Sequence, residues 1–140
     1  MSVLFKGGTV VSATGRYVAD VLAEGDKIKA IGTDLDNPAD EVVDARGKYI
    51  LPGAIDPHTH ISMPFMGTSA QDDYETGTIA AACGGVTCVV DFDLQQKGET
   101  LLDALDRKNA LAEGKAVVDY SLHPAVMDPR PEVIEEVKAA

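Results

Sequence analysis

The feature that most constrains the fold of this 140-residue chain is a change of pattern near residue 49. Beyond that point, segments typical of strands alternate with segments typical of helices. Strands are predicted over residues 50–55, 86–91 and 116–122, and helices over residues 71–83, 101–113 and 132–140. Strands that are separated by helices run parallel through right-handed crossovers, so this half is predicted to be an α/β sheet or barrel.

Five residues mark the ends of the predicted helices. Thr100, followed by Asp103 three residues later, predicts a capping box at the start of the second helix. Gly84 and Gly114 stand where C-terminal caps are expected, and Pro131 suits the first position of the last helix.

Residues 1–48 have a different pattern, in which short strands are separated by turns that contain glycine. The strands are predicted over residues 3–5, 9–11, 18–23, 27–31 and 41–43. Lys6-Gly7-Gly8 is one predicted turn, and Gly25-Asp26 suits a tight two-residue hairpin. Residues 27–30 alternate lysine with an apolar residue, which predicts one buried and one solvent-facing side. We therefore predict a small antiparallel β-module here, and strand–helix units over residues 49–140.

Composition excludes several classes of function. The chain carries 23 acidic and 12 basic residues, a net charge of −11, with no cluster of Lys and Arg, so we expect no binding to nucleic acid or to an anionic membrane surface. No secretory signal is recognised at the start, and the apolar region 79–90 is interrupted by glycines and too short to span a bilayer. Cys83 and Cys88 are predicted to be buried, reduced thiols of a cytoplasmic protein.

His58-Thr59-His60 is the strongest candidate for a functional site. It ends the first strand of the strand–helix half, and residues two apart on a strand project from the same face. Neutral imidazole is a good zinc ligand, so the pair predicts a metal-dependent hydrolase. An H-x-H sequence also arises by chance or as a solvent-facing pair, and the motif alone leaves both interpretations open.

Longer stretches extend this motif into a recognisable pattern. They are Pro52-Gly53-Ala54-Ile55-Asp56-Pro57-His58-Thr59-His60, Met63-Pro64-Phe65-Met66-Gly67-Thr68, Asp72-Asp73-Tyr74 with Thr76-Gly77-Thr78, Ala81-Ala82-Cys83-Gly84-Gly85-Val86-Thr87, Val90-Asp91-Phe92 and Asp119-Tyr120-Ser121-Leu122-His123. Together they resemble the dihydropyrimidinase and D-hydantoinase family of the amidohydrolase superfamily.

The resemblance implies a fold and a metal centre. The fold would be the N-terminal part of a metal-dependent (β/α)8 TIM-type barrel, with its first three strand–helix units over residues 49–140, preceded by a small antiparallel β-sandwich module over residues 1–48. His58 and His60 would bind one of two divalent ions, expected to be zinc. A bridging carboxylated lysine, two further histidines and a proton-transferring aspartate would lie beyond Ala140.

The resemblance also implies an activity. Such enzymes open dihydropyrimidines or 5-substituted hydantoins, which are small cyclic amides, to N-carbamoyl amino acids by attack of a metal-bound hydroxide. A homotetramer is implied by the same resemblance. The 140-residue chain by itself is expected to contain no catalytic residue and to be inactive.

Met63, Phe65 and Met66 form a second candidate site, directly after the histidine pair. The resemblance implies that they form a hydrophobic lid over the substituent of the substrate ring, which flexible methionine would suit. Packing as core at the mouth of a barrel is an equally good interpretation.

Four further polar residues near the predicted strand ends are expected to have supporting roles. Asp56 is expected to support the end of its strand, and Asp91 and Asp93 to cap the loop that follows theirs. His123 is expected to form hydrogen bonds with its neighbours and to bind no metal.

Three alternatives remain open. A dihydroorotase-like or allantoinase-like enzyme would share the metal pair, although Ile61-Ser62-Met63 follows where dihydroorotases usually carry an arginine for an acidic substrate. A non-catalytic scaffolding protein like the collapsin-response mediators would share the fold, but those relatives have lost metal ligands, whereas both histidines are present here. The third alternative is a small metal-binding or interaction module of 140 residues.

Overall fold

The structure, a computed structural model, describes residues 1–140. The chain forms two compact units, Met1–Pro52 and Gly53–Ala140, and each is described by itself. The first unit consists of strands, and all helices lie in the second.

The first unit is a single five-stranded sheet. Its strands are β1 (Ser2–Ser12), β2 (Gly15–Glu24), β3 (Lys27–Gly32), β4 (Glu41–Asp44) and β5 (Tyr49–Ile50). The order is β3-β2-β1-β4, and β5 pairs with Thr9 and Val10 of β1, further along that strand than the residues that pair with β4. The pairs β1–β2 and β2–β3 are antiparallel, but β4 and β5 run parallel to β1. The predicted all-antiparallel module is therefore wrong in this respect, because residues 33–40 carry the chain from one edge strand to the other instead of turning it back on itself.

Lys6-Gly7-Gly8 forms a bulge inside one long strand, where the sequence predicted a turn between two strands. The register with β2 shifts between Phe5 and Gly8, and Gly7 has a φ of +70°. The buried carboxylate of Asp20 accepts the Gly7 N–H at 2.6 Å and pairs with the Lys6 ammonium at 3.2 Å. A glycine-rich segment suits a turn and a bulge equally, and here the Asp20 contact accompanies the bulge.

The Gly25-Asp26 hairpin is confirmed, with Glu24 opposite Lys27 and a φ of +59° at Gly25. The predicted buried side of β3 is wrong for Ile28, which is 67% exposed. β3 is an edge strand, and the core of this unit forms around Val10 on β1 and Ala19 and Val21 on β2.

Ile50 packs against this core, so it belongs to the first unit. The strand predicted over residues 50–55 is thus two strands, β5 and a separate strand that starts at Ala54. Pro52 and Gly53 lie between them, and proline interrupts a strand because it has no N–H to donate.

The second unit alternates parallel strands with helices, as the sequence predicts. Its elements are β6 (Ala54–Thr59), β7 (Pro64–Phe65), β8 (Thr68–Ser69), α1 (Tyr74–Cys83), β9 (Val86–Leu94), α2 (Leu101–Ala112), β10 (Asp119–Ala125) and α3 (Pro131–Glu136). The main sheet has the order β10-β9-β6, and both of its strand pairs are parallel.

The predicted helix ends are confirmed in most cases. Thr100 Oγ1 accepts the Asp103 N–H at 3.0 Å, one of the two bonds of the predicted capping box. Gly84 caps α1, Gly114 follows α2 with a φ of +72°, and Pro131 opens α3. α3 is shorter than predicted, because it ends at Glu136.

α1 begins three residues later than predicted. Its start is a complete capping box, in which Asp73 accepts the Thr76 N–H while the Thr76 hydroxyl accepts the Asp73 N–H. Cys83, at the end of α1, is exposed, and Cys88 is half-buried; both are free thiols. The prediction of two buried cysteines is therefore wrong for Cys83. The apolar residues of α1 are spread around the helix axis, so the sequence does not mark which face is buried.

Candidate metal centre

The two histidines of the H-x-H motif come together at the carboxyl end of β6. Their Nε2 atoms are 2.9 Å apart, and both side chains are exposed. β6 ends at Thr59, between them, so the extended backbone projects both rings to one side. The predicted proximity of His58 and His60 is confirmed.

This pair fits a divalent metal in donor chemistry and in access. Two bonds of about 2.0–2.1 Å to nitrogens 2.9 Å apart would meet at roughly 90° at the metal, somewhat below the tetrahedral angle of about 109°. No group of three or more His, Cys, Asp or Glu side chains in this chain is arranged to hold a metal ion. Protein zinc sites use three or four ligands, so the pair would form part of a ligand set.

Aromatic and thioether groups surround the pair. The Phe92 ring of β9 lies 5.2 Å from the His58 ring and 5.6 Å from the His60 ring, measured between centroids. His60 Nδ1 lies 2.8 Å from the Met63 sulfur. The Asp56 carboxylate accepts the His58 N–H at 3.2 Å, which agrees with its expected role in supporting the strand end.

His123 also contacts Phe92, edge-on at 5.5 Å between ring centroids, from the neighbouring strand β10. All three histidines of the chain thus meet the same aromatic ring, but the ring contacts join only His58 and His60 to each other. The contact found for the His123 side chain is thus ring packing rather than the expected hydrogen bonds, and its structural role stays a prediction.

Residues 61–70 form a small hairpin over an apolar pocket. β7 and β8 pair antiparallel, and the turn residues Met66 and Gly67 both have positive φ, +50° and +81°, as a type I′ turn requires. A pocket of about 450 Å³ is lined by His60, Met63, Phe65, Thr68, Ser69 and Ala70. Met63 and Phe65 therefore share a pocket with a histidine of the pair, whereas Met66 stands at the turn, 89% exposed, and does not line it.

Asp91 and Asp93 lie within β9, so the expectation that they cap the next loop is wrong. Asp91 is fully buried and pairs with the equally buried Lys108 ammonium of α2 at 2.7 Å. Asp93 pairs with Arg107 at 3.1 Å, and Arg107 also binds Glu99. The alternation of β9 points both carboxylates toward α2, where each meets a cation.

The surroundings of these carboxylates shift their pKa values in opposite directions. Burial raises the pKa of Asp91, but hydrogen bonds from Lys108, Tyr74, Ile61 and Thr59 outweigh it and hold the pKa below its usual value. Burial raises the pKa of Asp93 despite the attraction of Arg107. Burial and the bond to Asp91 raise the pKa of Tyr74.

Lys108 and Tyr74 were not predicted from the sequence as partners of Asp91, although the sequence contains a signal for Lys108. Leu101, Ala104 and Ala112 are buried on α2, and Lys108 lies four residues from each of the last two. A lysine in the apolar stripe of a helix indicates a buried ion pair, because a buried charge requires a partner.

The family assignment follows from comparison with known proteins. The family model described as the amidohydrolase family matches residues 49–140, which is more than half of the chain. This chain belongs to the amidohydrolase family.

Among characterised amidohydrolase relatives, the chain is similar to the D-hydantoinase of Geobacillus stearothermophilus, with 50% identity over 98% of this chain and 29% of the relative. It is 44% identical to the dihydropyrimidinase of Rattus norvegicus, over 96% of this chain and 27% of the relative. The chain therefore spans about 30% of the length of these relatives. The predicted resemblance to the dihydropyrimidinase and D-hydantoinase family is confirmed.

Solved structures agree with this assignment. The crystal structure of dihydropyrimidinase from Brevibacillus agri NCHU1002 superimposes with a TM-score of 0.95 and 50% identity, over 99% of this chain and 30% of that chain. A crystal structure of D-hydantoinase gives a TM-score of 0.94 at 46% identity, over 99% of this chain and 30% of that one.

None of the helices in this amidohydrolase chain is long and apolar enough to cross a membrane.

Proposed function

We propose that this chain contributes to a metal-dependent cyclic amidohydrolase that opens dihydropyrimidines or 5-substituted hydantoins. The observation that carries the proposal is the convergence of the His58 and His60 Nε2 atoms, 2.9 Å apart, at the carboxyl end of a parallel strand. Support also comes from relatives named D-hydantoinase and dihydropyrimidinase. The activity is proposed for a protein with the length of those relatives.

In this proposal the three parallel strands belong to a (β/α)8 barrel, whose active site lies at the carboxyl ends of the strands. The first unit would belong to a β-sandwich, and the whole protein would be a homotetramer. Such an assembly would be tested by the mass of the purified protein in solution.

His58 and His60 would hold one of two divalent ions, with zinc as the expected metal and a carboxylated lysine as the expected bridge. Such ions supply an activated water and polarise the carbonyl group under attack. Within this chain, Asp56 holds the backbone N–H of His58, and the Phe92 ring packs against both imidazoles. These contacts would orient the two ligands before metal binds.

The pocket beside His60 would receive the substituent of the substrate ring. Met63 and Phe65 supply apolar lining there, and no charged side chain lines it. The pocket therefore suits an apolar substituent better than a carboxylate. Met66, at the exposed turn, would contribute only if the hairpin closes over the substrate.

A chimeric enzyme tests this function. The segment of the Geobacillus stearothermophilus D-hydantoinase that aligns with this chain, at 50% identity, is replaced by residues 1–140. We expect the purified chimera to open dihydrouracil and 5-substituted hydantoins, and His58→Ala and His60→Ala to lower its metal content and abolish ring opening. A folded, metal-loaded chimera without this activity would refute the proposal, and preference for an acidic cyclic amide would favour the dihydroorotase-like alternative.

A further inference from the structure

A buried ion pair, Asp91 with Lys108, contacts the residues on either side of His60 in the candidate metal centre. Asp91 on β9 is 0% exposed and Lys108 on α2 is 1% exposed, and the ammonium stands 2.7 Å from Asp91 Oδ2. The Tyr74 hydroxyl donates to the same oxygen at 2.6 Å. A carboxylate and an ammonium both lose their hydration here, which is energetically expensive for each ion.

The other carboxylate oxygen holds the residues on either side of His60. Asp91 Oδ1 accepts the Thr59 hydroxyl at 2.8 Å and the Ile61 N–H at 2.8 Å. The Lys108 ammonium, besides its contact with Asp91, donates to the Ile61 carbonyl oxygen. Both polar groups of the Ile61 backbone are therefore bound by the ion pair, one residue beyond the His60 imidazole.

Stability alone is a poor explanation for this arrangement. Replacing a buried ion pair by apolar residues of similar volume is often neutral or stabilising. The Asp91–Lys108 pair forms its hydrogen bonds with Thr59 and Ile61, where the chain leaves the sheet. The pairing of β6 with β9 ends at Thr59, so Ile61 has no partner strand there. The geometry of this ion pair thus serves the placement of residues 59–61.

The neighbouring pair, Asp93 with Arg107, provides an internal comparison. It joins the same strand to the same helix, two residues along β9 and one along α2. Its further contacts are with Glu99 and the Leu94 carbonyl, not with residues 58–61. Two similar ion pairs therefore differ in whether they touch the histidine segment.

We propose that Asp91 and Lys108 are a positioning pair, which fixes the His60 imidazole beside His58 by holding the backbone around it. This inference rests on the proposed metal site. Outer groups that orient metal ligands typically change metal affinity by 10- to 100-fold when they are removed, although here they would act through the backbone.

The test is a Zn²⁺ titration of the metal-free chimeric enzyme, which contains residues 1–140 together with the ligands proposed to lie beyond Ala140. It is followed by the ¹⁵N imidazole NMR signals of His58 and His60, with the signals of His123 as an internal reference. We expect Asp91→Asn and Lys108→Met to weaken Zn²⁺ binding about 10- to 100-fold. The matched variants Asp93→Asn and Arg107→Met should stay within about two-fold of the wild type. His60→Ala should remove the Zn²⁺ response of His58.

The Zn²⁺ response of the wild type separates the two possible failures, and hydrogen exchange of the Ile61 amide reports separately whether the backbone beside His60 is held. If wild-type His58 and His60 do not respond to Zn²⁺, the metal site itself is refuted, and the inference with it, even where Asp91→Asn accelerates this exchange. If they respond and the folded Asp91→Asn and Lys108→Met chains bind Zn²⁺ as the wild type does, only the positioning role is refuted.

Tyr74→Phe keeps the test decisive if both charge variants fail to fold. It removes one hydrogen bond to Asp91 Oδ2 and leaves the ion pair in place. We expect it to weaken Zn²⁺ binding several-fold and to accelerate exchange of the Ile61 amide. Wild-type affinity in a folded Tyr74→Phe chain would overturn the inference in that case.

Discussion

Gly53→Ala should destabilise the second unit through a collision with Thr87. A Cβ at position 53 would lie 2.1 Å from Thr87 Oγ1, 2.3 Å from Cγ2 and 2.7 Å from Cβ. Rotation of the threonine side chain moves the first two atoms but not the third, which is attached to the backbone of β9. The start of the β6–β9 pair, where the Ala54 N–H donates to the Gly85 carbonyl at 3.0 Å, would have to open.

The magnitude follows from the cost of overpacking. Inserting one carbon into a fully occupied space typically costs about 1–3 kcal/mol. For a unit of this size, each kcal/mol lowers the melting temperature by roughly 4–8 °C. We therefore expect a fall of roughly 5–20 °C, followed by circular dichroism at 222 nm, because α1, α2 and α3 all lie in the second unit.

Two control variants isolate the collision. Gly77→Ala places its Cβ 3.5 Å from its nearest neighbours, an ordinary contact, and should stabilise helix α1 by up to about 1 kcal/mol. Thr87→Gly removes the colliding atoms, so adding Gly53→Ala to that background should cost little. A Gly53→Ala chain that melts with the wild type, or that loses the same stability in the Thr87→Gly background, would refute the reasoning.

Three further predictions address the core, the pH response and the pocket. Val133→Ala, at a fully buried position on α3, should lower the free energy of unfolding by about 1–3 kcal/mol, measured by urea denaturation at 222 nm. Asp91 has a lowered pKa in the folded chain, so its contribution to stability is complete above about pH 5 and is lost as the pH falls through 4 and below. Asp91→Asn should therefore reduce the fall of the urea midpoint between about pH 5 and lower pH, and an unchanged fall would contradict the lowered pKa. In the chimeric enzyme, Phe65→Ala should change the relative rates for large and small hydantoin substituents and leave the metal content intact, whereas an equal loss on every substrate would mark Phe65 as core packing.

The strand–helix half was predictable because its signals are local. The capping residue Thr100, the C-terminal glycines and Pro131 each act on the few residues beside them. The pairing of the first unit was less predictable, because β4 and β5 join β1 in parallel from 38 and 40 residues away. Such pairing depends on which edge the connecting segment reaches, and composition does not specify that.

The candidate site divides in the same way. The proximity of His58 and His60 could be predicted from spacing alone, since a period of two places both rings on one side of a strand. The expectation for Asp91 was wrong because polar residues near a strand end commonly serve as caps. Its partners, Lys108 and Tyr74, come from two different helices, and each is 17 residues from Asp91 in the sequence.

By itself, the sequence determined the order of elements in the second unit, the direction of its strands and the H-x-H pair, because each depends on periodicity or on neighbouring residues. Only the tertiary structure decided that Asp20 accompanies a bulge at Gly7, that Ile50 joins the first unit, and that Asp91 and Lys108 bind the backbone beside His60. The contacts of Asp20, Asp91 and Lys108 depend on which charges lose their water together when elements pack, and the place of Ile50 depends on which apolar surfaces meet. That outcome is a property of the assembled core and is absent from any single segment.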